Sequence, residues 1–261
     1  MALYSYRYRP NTTKRKVLTL ISYISILAGC LFLFWSFYPV IAFEIYANVF
    51  IKRVYNDPVS KSKTASLVKA ETISGTGDVF STNLVDYTKA SFWFPEVSAV
   101  TTDQTTQNLT AKNLDKYSID IPKINISNAI VNIGSEDLLK GLVHYLPRGS
   151  IESLPGEYGH IPVFGHSTLP QLHKKCNDGK CDYKSVFTYL PTITKGDKIF
   201  LKANGLTYEY SVYDIVIVKP DAISVLEQRY DNAYLSLITC VPLGTYWNRL
   251  VVRAKLTQLP Q

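Results

Sequence analysis

Residues 17–43, VLTLISYISILAGCLFLFWSFYPVIAF, are 27 consecutive residues without a charged side chain. A helix crossing a bilayer needs about 20 predominantly apolar residues, because lipid offers its backbone no hydrogen-bond partners. A cleaved secretory signal has a shorter apolar core, ~7–15 residues, ahead of a small-residue cleavage site. This run is longer and has no clean site. Phe34, Trp35, Phe37, Tyr38 and Phe43 gather toward its far end, as aromatic side chains do at a membrane interface. The run therefore reads as a single transmembrane signal anchor at 17–43, preceded by a basic segment at 1–16.

The charge distribution orients that anchor. The chain carries 28 Lys and Arg against 21 Asp and Glu, a formal charge of +7. Five of those charges, Arg7, Arg9, Lys14, Arg15 and Lys16, precede the span with no acid among them, and the remainder is nearly balanced. Basic residues flanking a span stay in the cytoplasm, so residues 44–261 are expected outside. With its excess charge located at the membrane, the chain shows no basic surface for nucleic acid, and that partner class is set aside.

An exported domain lies in a disulfide-permissive compartment. Of the four cysteines, Cys30 is inside the span. Cys176 and Cys181 flank an Asn-Asp-Gly turn in HKKCNDGKCDY, where a local disulfide is the first expectation. Free thiols are an alternative, and a zinc site with His173 another, although that set offers only three ligands where structural zinc takes four. Cys240 is left without an obvious partner.

Residues 44–116 read as an extracytoplasmic stalk. Its first part, 44–58, continues from the span as a helix ending near Asn56-Asp57-Pro58. Residues 59–115 are rich in Ser, Thr, Lys and Asn. The apolar stretch SFWFPEV, 91–97, interrupts them, either as one sticky piece of stalk or as a lid or short strand docking on the domain that follows. From residue 117 the texture changes to short strands: YSIDIPKINI (117–126) broken by Pro122, AIVNI (129–133), IPVFGH (161–166), LSLIT (235–239) and RLVVRAKL (249–256). GDKIFLKANGLTYEYSVYDIVIV (196–218) is a hairpin turning at Asn204-Gly205. SEDLLKGLVHY, 135–145, suits a short helix. Many strands and few helices indicate a mainly β domain, an antiparallel barrel or sandwich.

Cys240 ends the run LSLIT, and Pro242 stops the ladder beyond it. A thiol at a strand end can reach solvent. It becomes a nucleophile when a base or cation raises its thiolate fraction and a donor waits for the oxyanion. His166, at the end of the VFG strand, is a candidate base, and Arg249, nine residues beyond Cys240 across the loop 241–248, a candidate donor. The plainer readings are a buried inert cysteine, a histidine capping a strand and a solvated arginine. His144 is a rival base that would line the same groove.

VFGHS, LITC and VPLGTYWNR resemble the corresponding motifs of the sortases, membrane-anchored cysteine transpeptidases of bacterial surfaces. Gly165-His166, Thr239-Cys240 and Arg249 match the family pattern in order. HYLPRGSIESLPGEYGHIPVFGHS (144–167) and GDKIFL (196–201) also look like family segments. The resemblance covers residues 117–257 and implies a closed eight-stranded β-barrel with short helices after one N-terminal transmembrane helix. It implies that Cys240 attacks a C-terminal, LPxTG-like sorting motif to form a thioacyl enzyme. His166 would act as acid and then base, Arg249 would hold the oxyanion or the peptide, and Thr239 and His144 would contribute to substrate binding. It implies no cofactor. The implied partners are proteins bearing a sorting signal, an amine from cell-wall precursor or a pilin-type subunit, and the bacterial cell membrane. Cys-x-Pro-x-Gly at 240–244 is closer to the pilin-polymerising and D- or E-type members than to class A. The absence of a second apolar run after the last strand points away from the pilin class. His160 and Ser167 depart from the residues common in relatives. A thiol hydrolase without amine transfer and a non-catalytic surface-binding domain are the alternative functions.

Overall fold

The computed structural model describes residues 12–54, 86–94, 114–145, 153–176 and 179–258, in two units, Met1–Ile45 and Tyr46–Gln261. In the first, helix α1 (Thr12–Phe50) begins, and its stretch Thr13–Tyr38 is long and apolar enough to cross a membrane. Leu27, Phe32 and Trp35 stand exposed along it. A helix apolar all round belongs inside protein or lipid rather than water, so this one is compatible with single-pass anchoring.

The second unit is a β-barrel. Its strands are β1 (Lys52–Val54), β2 (Lys116–Ile121), β3 (Ile126–Ile133), β4 (Leu142–His144) and β5 (Gly159–Phe164), followed by β6 (Lys198–Ala203), β7 (Leu206–Val218), β8 (Ala233–Val241) and β9 (Asn248–Gln258). Eight of them pair in the order β7-β6-β2-β3-β4-β5-β8-β9, and β9 pairs back onto β7 to close the ring. The expected closed eight-stranded barrel is the one observed. β1 lies outside the ring, parallel to Val216–Val218 on the part of β7 that extends past β6. The helix expected to continue to Pro58 thus ends at Phe50, because the chain after it finds a ladder on that open edge; residues 55–58 lie outside the described residues.

Alternating burial builds the interior. Tyr117, Ile119 and Ile121 on β2 and Ile199, Leu201 and Ala203 on β6 are buried while their neighbours are not, the period-2 pattern of a half-covered strand. The hairpin turns at Asn204 (φ 51°) and Gly205 (φ 77°), both left-handed as a type I′ turn requires. Pro122 ends β2 in a one-turn 3-10 helix, Pro122–Ile124. β5 is buried along its whole length, and so is β8 apart from Tyr234. Strands buried on both faces need a cover outside the barrel. Here it comes from residues 86–94 and from the 3-10 turn Ile223–Leu226 in the β7–β8 connection, which share an apolar cluster with Phe164, Ile238, Cys240 and Val251.

The helix expected over 135–145 is absent. Ser135 Oγ accepts from the Asp137 N–H (3.2 Å) and Asp137 Oδ1 from the Leu139 N–H (2.9 Å), so short polar side chains hold a turn in place of a helical one. Leu142–His144 then supply β4, which the ring needs between β3 and β5.

β4 also decides where His144 points. Val143 pairs with Phe164, which faces the outer cluster, so His144, paired with Val163, faces the barrel interior. Its ring lies 6.1 Å from that of Tyr117, and neither ring nitrogen has a hydrogen-bond partner among the described residues. His144 therefore does not line a groove with His166, contrary to the expectation from sequence. Burial pushes its pKa down to about 3. The unfolded chain takes up this proton below ~6.5 and the folded chain does not until about 3, so stability is lost as pH falls through that window. His144→Leu should flatten the acid limb between pH 6.5 and 4.5 by ~2 kcal/mol, measured by urea unfolding at each pH. An unchanged limb would show that the imidazole is not held neutral.

Candidate active site

Cys240 and Arg249 are direct cross-strand partners on β8 and β9, and their side chains share the outer face with Ile238 and Val251. The thiol was expected just beyond a strand end and open to solvent. Instead β8 continues to Val241 before the cis Val241–Pro242 bond, and Cys240 is 2% exposed. Burial pushes its pKa up to about 11, and the Arg249 charge pulls the other way. The connecting loop folds back on itself through Pro242 O, which accepts from Thr245 N (2.9 Å) and Thr245 Oγ1 (2.8 Å).

Arg249 is 1% exposed, not the surface charge an arginine opening a strand ordinarily is. Its guanidinium donates to carbonyls: Nε and Nη2 to Trp93 O (3.2 and 3.0 Å), Nη1 to Tyr246 O (2.9 Å) and Asn248 O (3.3 Å). The Trp93 ring lies 5.4 Å from its guanidinium carbon, within cation–π range.

His166 follows β5 on a segment tied to β8 three times, first by the Gly165 N–H donating to Ile238 O (3.1 Å). Thr239 Oγ1 donates to Gly165 O, and Ser167 Oγ donates to the carbonyl of Cys240 itself, both at 2.7 Å. Gly165 is required here by space: a Cβ would fall 2.5 Å from the side chains of Leu142 and Phe187. These ties bring His166 beside the strand end that carries Cys240. Its Nε2 is buried with no hydrogen-bond partner among the described residues. Burial pushes the imidazole down to about 4, against an opposing pull from Asp86. Thr239, expected from sequence to meet substrate, is wholly buried with its hydroxyl spent on Gly165, so it orients the histidine segment instead.

Residues 86–94 lie over this group. They are clasped to residues 136–138 by Ala90 N→Glu136 O and Leu138 N→Thr88 O (3.0 Å each), with Ser91 Oγ donating to Glu136 Oε2 (3.1 Å). Tyr87 stacks on Tyr246 at 4.1 Å. Trp93 is fully buried, 5.6 Å from the His166 ring and edge-on to Phe164 at 5.7 Å, with its indole N–H donated to Tyr87 O (2.9 Å). Of the stretch 91–97 noted in the sequence, residues 91–94 are described and the rest lie outside the described residues. The carbonyl of Trp93 and the hydroxyl of Ser167 carry no chemical signature in a sequence, and only their neighbours in space reveal them.

Cys176 and Cys181 are disulfide-bonded, and Cys176 bridges to Ile126 on the barrel. His173 Nδ1 contacts Ser185 O at 3.0 Å.

The family model described as Sortase domain matches residues 119–257. Sortase A of Bacillus anthracis is 26% identical over 185 residues, spanning 69% of this chain and 80% of that protein. Similar solved structures include sortase C-1 from Actinomyces oris, 25% identical with a TM-score of 0.45 over 57% of this chain and 77% of that one. A lid mutant of Sortase A from Corynebacterium diphtheriae is 28% identical with a TM-score of 0.46 over 57% and 74%. With its family match running through more than half of its length, this chain belongs to the sortases, the cysteine transpeptidases that anchor or polymerise surface proteins.

Proposed function

We propose that Cys240 is the nucleophile of a transpeptidation on a C-terminal, LPxTG-like sorting motif, with His166 as proton carrier and Arg249 as oxyanion or backbone donor. The observation that carries this reading is the stitched geometry around Cys240. Arg249 faces it across the β8–β9 ladder, and the His166 segment is tied to its own carbonyl through Ser167. Cys240 gives its thiol proton to His166 as the sulfur adds to the carbonyl carbon of the scissile peptide bond. The C–N bond breaks as His166 gives a proton to the leaving amine, leaving a thioester. An incoming amine, from cell-wall precursor or a lysine of a pilin-type subunit, loses a proton to His166 and expels the thiolate. The donors that Arg249 now spends on Trp93 O would hold the negative oxygen or a substrate carbonyl. These roles use side chains alone, with no cofactor. The basic residues before the apolar helix orient the barrel outside the cell membrane.

In this reading residues 86–94 cover a resting site. Burial is the first cause of both shifts, the thiol upward and the imidazole downward, so under the cover the two are uncharged at neutral pH. Lifting the cover rehydrates them, moves both back toward ordinary values and frees Arg249 for substrate.

Two measurements test the proposal. With full-length protein in detergent, a Leu-Pro-x-Thr-Gly peptide and an amine acceptor, Cys240→Ala should lose all turnover while keeping its fold, and Arg249→Lys should lower kcat by ~10²-fold or more. Product formed only by water, whatever the amine concentration, would favour the hydrolase reading; a fully active Cys240→Ala would exclude Cys240. In the second, iodoacetamide should alkylate Cys240 slowly at pH 7.5 and about tenfold faster in Trp93→Ala, where the thiol regains water. Equal rates would mean that Trp93 does not shield it.

A further inference from the structure

β5 and β8 run parallel, and their register ends at the pair Phe164 and Ile238. One more backbone rung follows, from the Gly165 N–H to Ile238 O (3.1 Å). Carbonyls along a strand alternate between its two edges, so the Cys240 carbonyl points to the same side as that of Ile238, toward β5. In a continued parallel ladder its donor would be the N–H of residue 167. β5 has ended by then, and the Ser167 hydroxyl takes that acceptor instead, at 2.7 Å. A side chain thus makes the last rung, where a hydroxyl can donate and an alanine methyl cannot.

His166 lies between these two rungs, the backbone one at Gly165 and the side-chain one at Ser167. Gly165 has no room to shift, packed between Leu142 and Phe187. On the other side of His166 the chain is drawn toward residues 187 and 188: the Phe187 N–H donates to His166 O (2.9 Å) and the Thr168 N–H to Thr188 Oγ1 (3.1 Å). Against that pull, the Ser167 hydroxyl holds the second half of the segment to the strand that carries the thiol. The orientation of the Cys240 carbonyl matters for the facing strand as well. Turned to β5, it is turned away from β9, so Cys240 and Arg249 form a non-hydrogen-bonded pair, the kind whose side chains stand closer together.

We infer that Ser167 is a positioning residue, whose hydroxyl bond to the Cys240 carbonyl sets the His166 imidazole at the separation from the thiol that proton transfer needs. This rests on the reading of Cys240 as the nucleophile and His166 as the proton carrier. The hydroxyl bonds main chain, so it acts through Cys240 and His166 rather than on the reacting atoms. Proton transfer requires the two groups within hydrogen-bond reach, and a small misplacement of a catalytic group costs rate rather than affinity.

The test uses full-length protein in detergent with the Leu-Pro-x-Thr-Gly peptide and an amine acceptor. Ser167→Ala should lower kcat about tenfold with KM within about twofold, the split expected when an interaction serves the transition state alone. Ser167→Thr keeps the hydroxyl and should stay within about twofold of the wild type in both constants. Amide hydrogen exchange at residues 165–168 should quicken about tenfold in Ser167→Ala and not in Ser167→Thr. An unchanged kcat in Ser167→Ala, a KM that rises at constant kcat, or a Ser167→Thr enzyme as slow as Ser167→Ala overturns the assignment. If the wild type turns over no peptide, the transpeptidase reading fails, whereas unchanged exchange at 165–168 in Ser167→Ala would overturn the role of Ser167 independently. Should Ser167→Ala not fold, Ser167→Val against Ser167→Thr, alike in shape and differing in the hydroxyl, carries the same comparison.

Discussion

The structure depends most on the pairing of β9 with two neighbours at once. One edge carries the ladder to β8 that sets Arg249 opposite Cys240; the other closes the ring onto β7. A strand paired on both edges has no freedom to slip, and a slip of one residue would turn Arg249 into the barrel interior and Leu250 out. Closure thus does more than remove sheet edges. It fixes the register that makes a cysteine and an arginine, nine positions apart in the chain, into neighbours on one face.

That face is then dried. Arg249 is buried with its donors on the carbonyls of Trp93, Tyr246 and Asn248, and a buried charge is tolerable when dipoles take the place of water. Burial pulls its pKa down, as it does for His166, and raises that of Cys240. The same cover that shields the proposed nucleophile therefore holds it and its base in their unreactive, uncharged forms. Shielding and silencing have one physical cause.

Much of this was legible in the sequence. Asn204-Gly205 announced its hairpin, because a left-handed pair is affordable to few other residues. Pro122 announced the break between β2 and β3, since it cannot donate to a ladder. Thr-Cys with an arginine after eight residues, and Gly-His earlier, pointed to the three residues now gathered at one end of the sheet. Where the reading failed, a tertiary partner outweighed local preference. Leu142–His144 belonged to a stretch that opened on a helix-start serine but was needed as a strand in the ring. Lys52–Val54 would have prolonged a helix but met the open edge of β7. The strand carrying Cys240 ran on to Val241 because Asn248 was there to pair with it.

By itself, then, the amino-acid order determined an apolar helix able to cross a membrane, a domain of short strands, and which residue types were available for thiol chemistry, because periodicity, turn residues and charge are local properties. Only the tertiary structure decided which way each side chain faces. It turned His144 inward and spent Thr239 on Gly165. It laid Trp93 over Arg249 and bound Ser167 to the carbonyl of Cys240, since such contacts join residues tens of positions apart and their geometry follows from the register of a closed barrel rather than from any short stretch of chain.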